Sequence, residues 1–175
     1  MRQTMILTGE INLKTVTDPT VPFGRVTKEL GEADLVFANL ECLLADPPAA
    51  YATNQVAFHT TREGFYAGPV AGEALKLTGF AGVGCANNVT YGEDAIRASL
   101  ARLKELGIPV TGAGLNREEA HRPLIIEKSG VRFGFMREQV LAAQFLVVTS
   151  SISWVRCCVI RQIYASPNHR EKCVA

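Results

Sequence analysis

Short apolar runs alternate with helical periodicity four times between residues 4 and 136, and this alternation restricts the fold more than any other feature. Thr4 to Thr8 is β-compatible and closes at Gly9-Glu10-Ile11-Asn12. Phe23 to Gly31 places Phe23, Val26 and Leu30 at helical spacings, with Gly31 as a C-terminal stop. A second strand, Leu35-Val36-Phe37-Ala38, follows Asp34 and closes at Asn39-Leu40-Glu41. Leu44 to Gly68 reads as a loop holding one short strand at Gln55-Val56-Ala57-Phe58. Val70 to Leu77 is helical and stops near Gly79, and Phe80 to Cys85 supplies the third strand. Glu93 to Leu106 is the clearest helix, with Ile96, Leu100, Leu103 and Leu106 on one stripe and Gly107 at its end. The fourth strand, Ile108 to Thr111, runs into Gly112-Ala113-Gly114-Leu115-Asn116 and a short helix at Arg117 to Ala120. A hairpin closes the pattern, Leu124 to Lys128 and Val131 to Met136 about the turn Ser129-Gly130. Strands and helices in this order predict an α/β fold with a mostly parallel, buried sheet and right-handed crossovers.

In such a sheet, ligands bind outside the carboxyl ends of the strands. The first three strands end in Glu10, Glu41 and the pair Asn87-Asn88, and the fourth ends in the Gly112/Gly114 turn. Glu10, Asn12, Asn39, Glu41, Asn87, Asn88 and Asn116 are therefore expected along one rim. Their carboxylate and carboxamide oxygens are hard ligands, suited to Mg²⁺, Mn²⁺ or Ca²⁺. The loop Gly84 to Gly92 admits two readings, a site loop or a plain turn, because Asn tolerates left-handed backbone and bonds its own chain.

A chain of 175 residues suits one domain with a real core, and 47% apolar with 20% charged residues is ordinary for a globular protein. A net charge of +1 leaves no basic footprint for nucleic acid. No apolar run is long enough to span a membrane, and the N-terminus shows no signal-peptide core, so the cytoplasm is the default compartment. Cysteines at 42, 85, 157, 158 and 173 have neither the count of a disulfide framework nor zinc-knuckle spacing.

The character changes after Met136. Residues 137–175 carry three of the cysteines, the single Trp154 and a net charge of +3, against −2 for residues 1–136. This divides the chain into an α/β domain, 1–136, and a divergent tail, 137–175. The tail reads as foreign to the fold, as a frameshift or truncation would produce; the alternative is a divergent last strand and helix. An apolar tail of this kind is expected to favour self-association.

Several segments occur in an order that carries more than composition: Gly9-Glu10-Ile11-Asn12-Leu13, Ala38-Asn39-Leu40-Glu41, Gly79-Phe80-Ala81-Gly82-Val83, Ala86-Asn87-Asn88 and Gly112-Ala113-Gly114. Glu118 to Pro123 and Gly130 to Gly134 follow in turn. The ordered set resembles the CapA family of bacterial poly-γ-glutamate capsule biosynthesis proteins, a branch of the calcineurin-like metallophosphoesterase superfamily. It covers about residues 4–136, the N-terminal half of a family domain. The resemblance implies part of an α/β/β/α sandwich with a divalent-metal site, Mn²⁺ or Mg²⁺, at the strand ends. It places Glu10 at the position of a metal-binding Asp, Glu41 at that of the bridging carboxylate and Asn88 at that of the carboxamide ligand. Asn12, Asn39, Asn87, Gly112, Gly114 and Asn116 lie near that site. Family members are often membrane-associated or extracellular.

The sequence departs from the family at points that matter for chemistry. Glu10 is a methylene longer than Asp, and Val89 stands where the family has a His, so the loop can neither ligate there nor pass a proton. His59, His121 and His169 lie outside any ligand spacing, and no catalytic residue is assigned. The expectation is a capsule-biosynthesis protein with an incomplete metal site and weak or no turnover, taking a small or polyanionic ligand. The alternative is an active metal-dependent phosphoesterase or γ-peptide-bond hydrolase or transferase. Covalent chemistry at Cys85 is a third route, without a neighbouring His to serve it.

Overall fold

The structure is a computed structural model that describes residues 3–47, 65–87, 93–140 and 156–163. The strand expected at 55–58, the end of the Asn loop at 88–92 and most of the tail lie outside these residues. The first sheet consists of β1 (Met5–Ile11), β2 (Leu35–Leu40), β5 (Gly82–Gly84) and β6 (Val110–Thr111), side by side in that order and all parallel. Two short strands, β3 (Leu43–Leu44) and β4 (Tyr66–Ala67), pair beside it. The helices are α1 (Thr27–Gly31), α2 (Glu73–Thr78, entered by a 3-10 turn at Pro69–Gly72), α3 (Glu93–Glu105) and α4 (Arg117–Ala120).

Strand order that advances in one direction has a consequence for layering. Right-handed crossovers then place every connecting helix on the same face of the sheet. The packing agrees: Val36, Ala38 and Leu40 of β2 and Val83 of β5 share one core with Leu30 of α1, Leu75 of α2 and Leu103 of α3. The opposite face is left for a second sheet, β7 (Leu124–Lys128), β8 (Val131–Val140) and β9 (Arg156–Ile163). Phe135 of β8 stacks on Phe37 of β2 with ring centroids 4.3 Å apart. Gly82 and Gly84 of β5 admit side chains from that sheet, because a methyl on either would press on Leu124 or Arg137 respectively. Helices on one face and a sheet on the other give three stacked layers among the described residues.

The expected hairpin is present, β7 antiparallel to β8, with Ser129 and Gly130 both at positive φ as a two-residue turn of right-handed strands requires. β8 continues past Met136 to Val140 and pairs in parallel with β9. The helix expected from Phe23 is shorter than its periodicity suggests. Residues 22–26 form turns and only Thr27–Gly31 is helical, while Phe23 packs its ring against Phe80, 5.2 Å between centroids. Gly79 and Gly107 end α2 and α3 at φ of 79° and 72°, the left-handed termination the sequence predicts. Among the described residues no helix is long and apolar enough to cross a membrane.

Candidate functional site

The rim at the carboxyl ends of β1 and β2 is shaped by an irregularity in β1. Leu7 pairs with Phe37, but Glu10, not Gly9, pairs with Asn39, so β1 carries one extra residue between these contacts. Side chains alternate faces along a strand, and a bulge of one residue reverses the alternation beyond it. Glu10 is thereby turned to the face of Asn39, toward the second sheet. Ile11 returns to the helix-side core, paired with Leu40.

Glu41 follows directly, its backbone N–H donating to Ile11 O at 2.8 Å. Its carboxyl meets that of Glu10. Partial burial holds the Glu41 proton on, the neighbouring Glu10 charge adds to this, and a hydrogen bond between the two carboxyl groups completes the effect, so Glu41 is displaced upward from its ordinary value. Two of the three residues expected to hold metal are therefore together; the third, Asn88, lies outside the described residues.

Asn39 sits beside them, 6% exposed, and neither its Oδ1 nor its Nδ2 has a hydrogen-bond partner among the described residues. An orphaned buried carboxamide is costly and marks a place where a further polar partner is accommodated. Asn87 is arranged differently: its Nδ2 donates to Leu40 O at 2.6 Å and, more weakly, to Cys85 O at 3.4 Å, tying the end of β5 to the end of β2.

The remaining rim residues serve local structure. Asn12 Oδ1 accepts from Lys14 N at 2.9 Å, closing an Asx turn after β1. Asn116 Oδ1 accepts from Glu119 N at 2.9 Å and caps α4, while Glu119 Oε2 accepts from Leu115 N. Gly114 lies against Glu119 and Ala120 too closely for any side chain. Gly112, at φ 85°, faces Ala86 and the backbone of Arg137, adjacent to the Asn87 turn.

Sequence reasoning missed Arg137. It is 3% exposed, its Nε donates to Ala86 O at 3.1 Å, and its stem fills the space over Gly84. The nearest signal was the glycine at position 84, which leaves a strand without a side chain where a long one arrives from elsewhere. Cys42 and Cys85 face the helices and are buried there. Burial pushes their thiols up to about 11 and about 12, which disfavours the thiolate that nucleophilic chemistry at Cys85 needs.

A sequence profile described as bacterial capsule synthesis protein PGA_cap matches residues 4–143. The chain belongs to this family. The match spans the strand ends carrying Glu10, Glu41 and Asn87 and runs through β8, Arg137 included. A search of curated proteins gave no significant match.

The donor set at the PGA_cap rim suits a hard divalent cation in kind. Two carboxylates are in contact and a carboxamide with no partner among the described residues lies beside them, all offering oxygen. Among the described residues no group of three or more His, Cys, Asp or Glu side chains gathers there or elsewhere.

Proposed function

We propose that this capsule-synthesis family member carries a divalent-metal site at the ends of β1 and β2, held by Glu10 and Glu41 with the Asn39 carboxamide beside them and Asn88 as the further ligand. We assign it binding of a polyanionic ligand such as poly-γ-glutamate, with weak or absent turnover. The observation that carries the reading is the contact between the Glu10 and Glu41 carboxyl groups, which adds to partial burial in raising the proton affinity of Glu41. Like charges held together by the backbone cost free energy, and a cation between them removes that cost.

A bound Mn²⁺ or Mg²⁺ would supply charge neutralisation and polarisation of a phosphate or amide oxygen. The chain's own residues divide the remaining work. The β1 bulge aims Glu10, the Ile11–Glu41 backbone bond fixes Glu41, and Asn87 fastens the β5 end to Leu40. Val89 stands where the family has a His, so that position supplies no imidazole to protonate a leaving group. This supports a binding function over an efficient hydrolase.

Calorimetric titration with Mn²⁺ and Mg²⁺, together with a generic phosphodiester assay and a poly-γ-glutamate cleavage assay, tests the reading. Saturable Mn²⁺ uptake that E41Q abolishes, with little turnover, is the expected result. Absence of metal uptake by the wild-type chain overturns the metal site. Efficient turnover lost in E41Q establishes the alternative, an active phosphoesterase or γ-peptide-bond hydrolase.

A further inference from the structure

We propose that Arg137 is the positioning residue of this rim, holding from the second sheet the Cys85–Asn87 turn and, through Asn87, the backbone that carries Glu41. The proposal rests on the metal-site reading only for its functional readout; the geometry stands independently.

The geometry begins with two missing side chains. A Cβ on Gly84 would lie 2.9 Å from Arg137 Cγ and 3.0 Å from its Cβ, and one on Gly112 would lie 2.9 Å from the Arg137 carbonyl oxygen. Glycines at the ends of β5 and β6 thus open a slot that the Arg137 stem and backbone fill. At the end of that slot Nε donates to Ala86 O. Ala86 lies between Cys85, whose N–H donates to Thr111 O at 2.8 Å, and Asn87, whose amide donates to Leu40 O. Leu40 directly precedes Glu41. A continuous set of hydrogen bonds therefore runs from β8, through the β5 turn, to the residue beside the carboxyl pair.

A guanidinium is costly to bury, and this one is 3% exposed. Packing alone would be served by Met or Leu over Gly84. An arginine adds a donor at Nε on a pre-shaped planar group, aimed at the Ala86 carbonyl. Groups bonded directly to a metal ligand typically alter affinity by about 10–100-fold when lost, and Arg137, two hydrogen bonds back from the Glu41 backbone, acts below that range.

The test uses the full chain and two variants. R137K keeps the stem and the charge but places a methylene where Nε donates; R137M removes the charge as well. Hydrogen exchange resolved by mass spectrometry reads the segment 82–87 against helix 93–105 as internal reference. Calorimetry with Mn²⁺ alone reads the rim. In R137K, exchange over 82–87 should rise about fivefold, the worth of one hydrogen bond, with the helix unchanged. Mn²⁺ affinity should fall severalfold, by up to about tenfold. Unchanged exchange over 82–87 in R137K overturns the proposal, as does an equal rise in the helix, which marks a general loss of stability. Faster local exchange with undiminished Mn²⁺ affinity also overturns it. If the wild-type chain takes up no Mn²⁺, the metal reading fails, and the exchange comparison alone decides what Arg137 holds.

Discussion

Phe37 of β2 and Phe135 of β8 stack with their planes 11° apart and their centroids separated by 4.3 Å, both rings almost wholly buried, and this pair joins the two sheets. We expect F135A to destabilise the chain by about 3–5 kcal/mol, the usual cost of emptying an aromatic site in a core. Chemical denaturation measures it; a loss under 1 kcal/mol (about the cost of a single surface contact) would mean that the sheets are not packed on one another here.

Gly112 combines two constraints. Its φ of 85° disfavours an L side chain, and a Cβ would sit 2.8 Å from both the Cβ and the backbone N of Ala86. G112A should therefore cost about 1–3 kcal/mol from overpacking alone. Gly130, also at positive φ, has open space around it, so G130N should be nearly neutral. Equal melting temperatures for the two variants would contradict this contrast.

The raised proton affinity of Glu41 fixes the sign of a pH effect. The native state binds this proton more tightly than the unfolded chain does. Its contribution to stability is therefore complete below the ordinary value of 4.5 and is lost as pH rises through the higher native value. E41Q resembles the protonated form and should melt higher than wild type at neutral pH in metal-free buffer. The difference should shrink as the pH falls through the carboxylate range. A lower melting temperature for E41Q at neutral pH would show that the Glu41 charge is stabilised, not opposed, by its surroundings.

Cys42 and Cys85 should resist thiol reagents. With Cys42 displaced to about 11, fewer than about one in a thousand of its thiols is ionised at pH 8, and burial blocks approach as well. Site-resolved alkylation should label both slowly in the native chain and rapidly in denaturant. Fast native labelling of Cys85 would place the end of β5 in solvent.

Much of the architecture was legible because its signals are local. The stripe Ile96, Leu100, Leu103 and Leu106 announces α3, and Ser129-Gly130 announces its hairpin. The shortened α1 was not legible, because Phe23 packs on Phe80 from a turn as well as it would from a helix, while Val26 is exposed. For the site, the sequence named Glu10 and Glu41, yet their contact depends on a bulge that no residue pattern dictates, since Gly9 alone signals only freedom. It also expected Asn12 and Asn116 near the rim by their chemistry; in the structure the Asn12 side chain closes an Asx turn and that of Asn116 caps α4. Arg137 escaped because its role is defined by absent side chains at positions 84 and 112, distant in sequence and supplied by different strands.

The one-directional order β1-β2-β5-β6 also governs how such a chain can be made. Each new strand docks on the most recent one, so the first sheet can assemble as the polypeptide leaves the ribosome, its helices closing the near side at once. The far side, with Phe37, Asn39 and the bare Gly82 and Gly84, must wait for the β7–β8 hairpin. Synthesis thus passes through an interval in which a finished sheet shows an uncovered aromatic face, and chaperone demand should be concentrated in that interval, ending when Phe135 and Arg137 are in place.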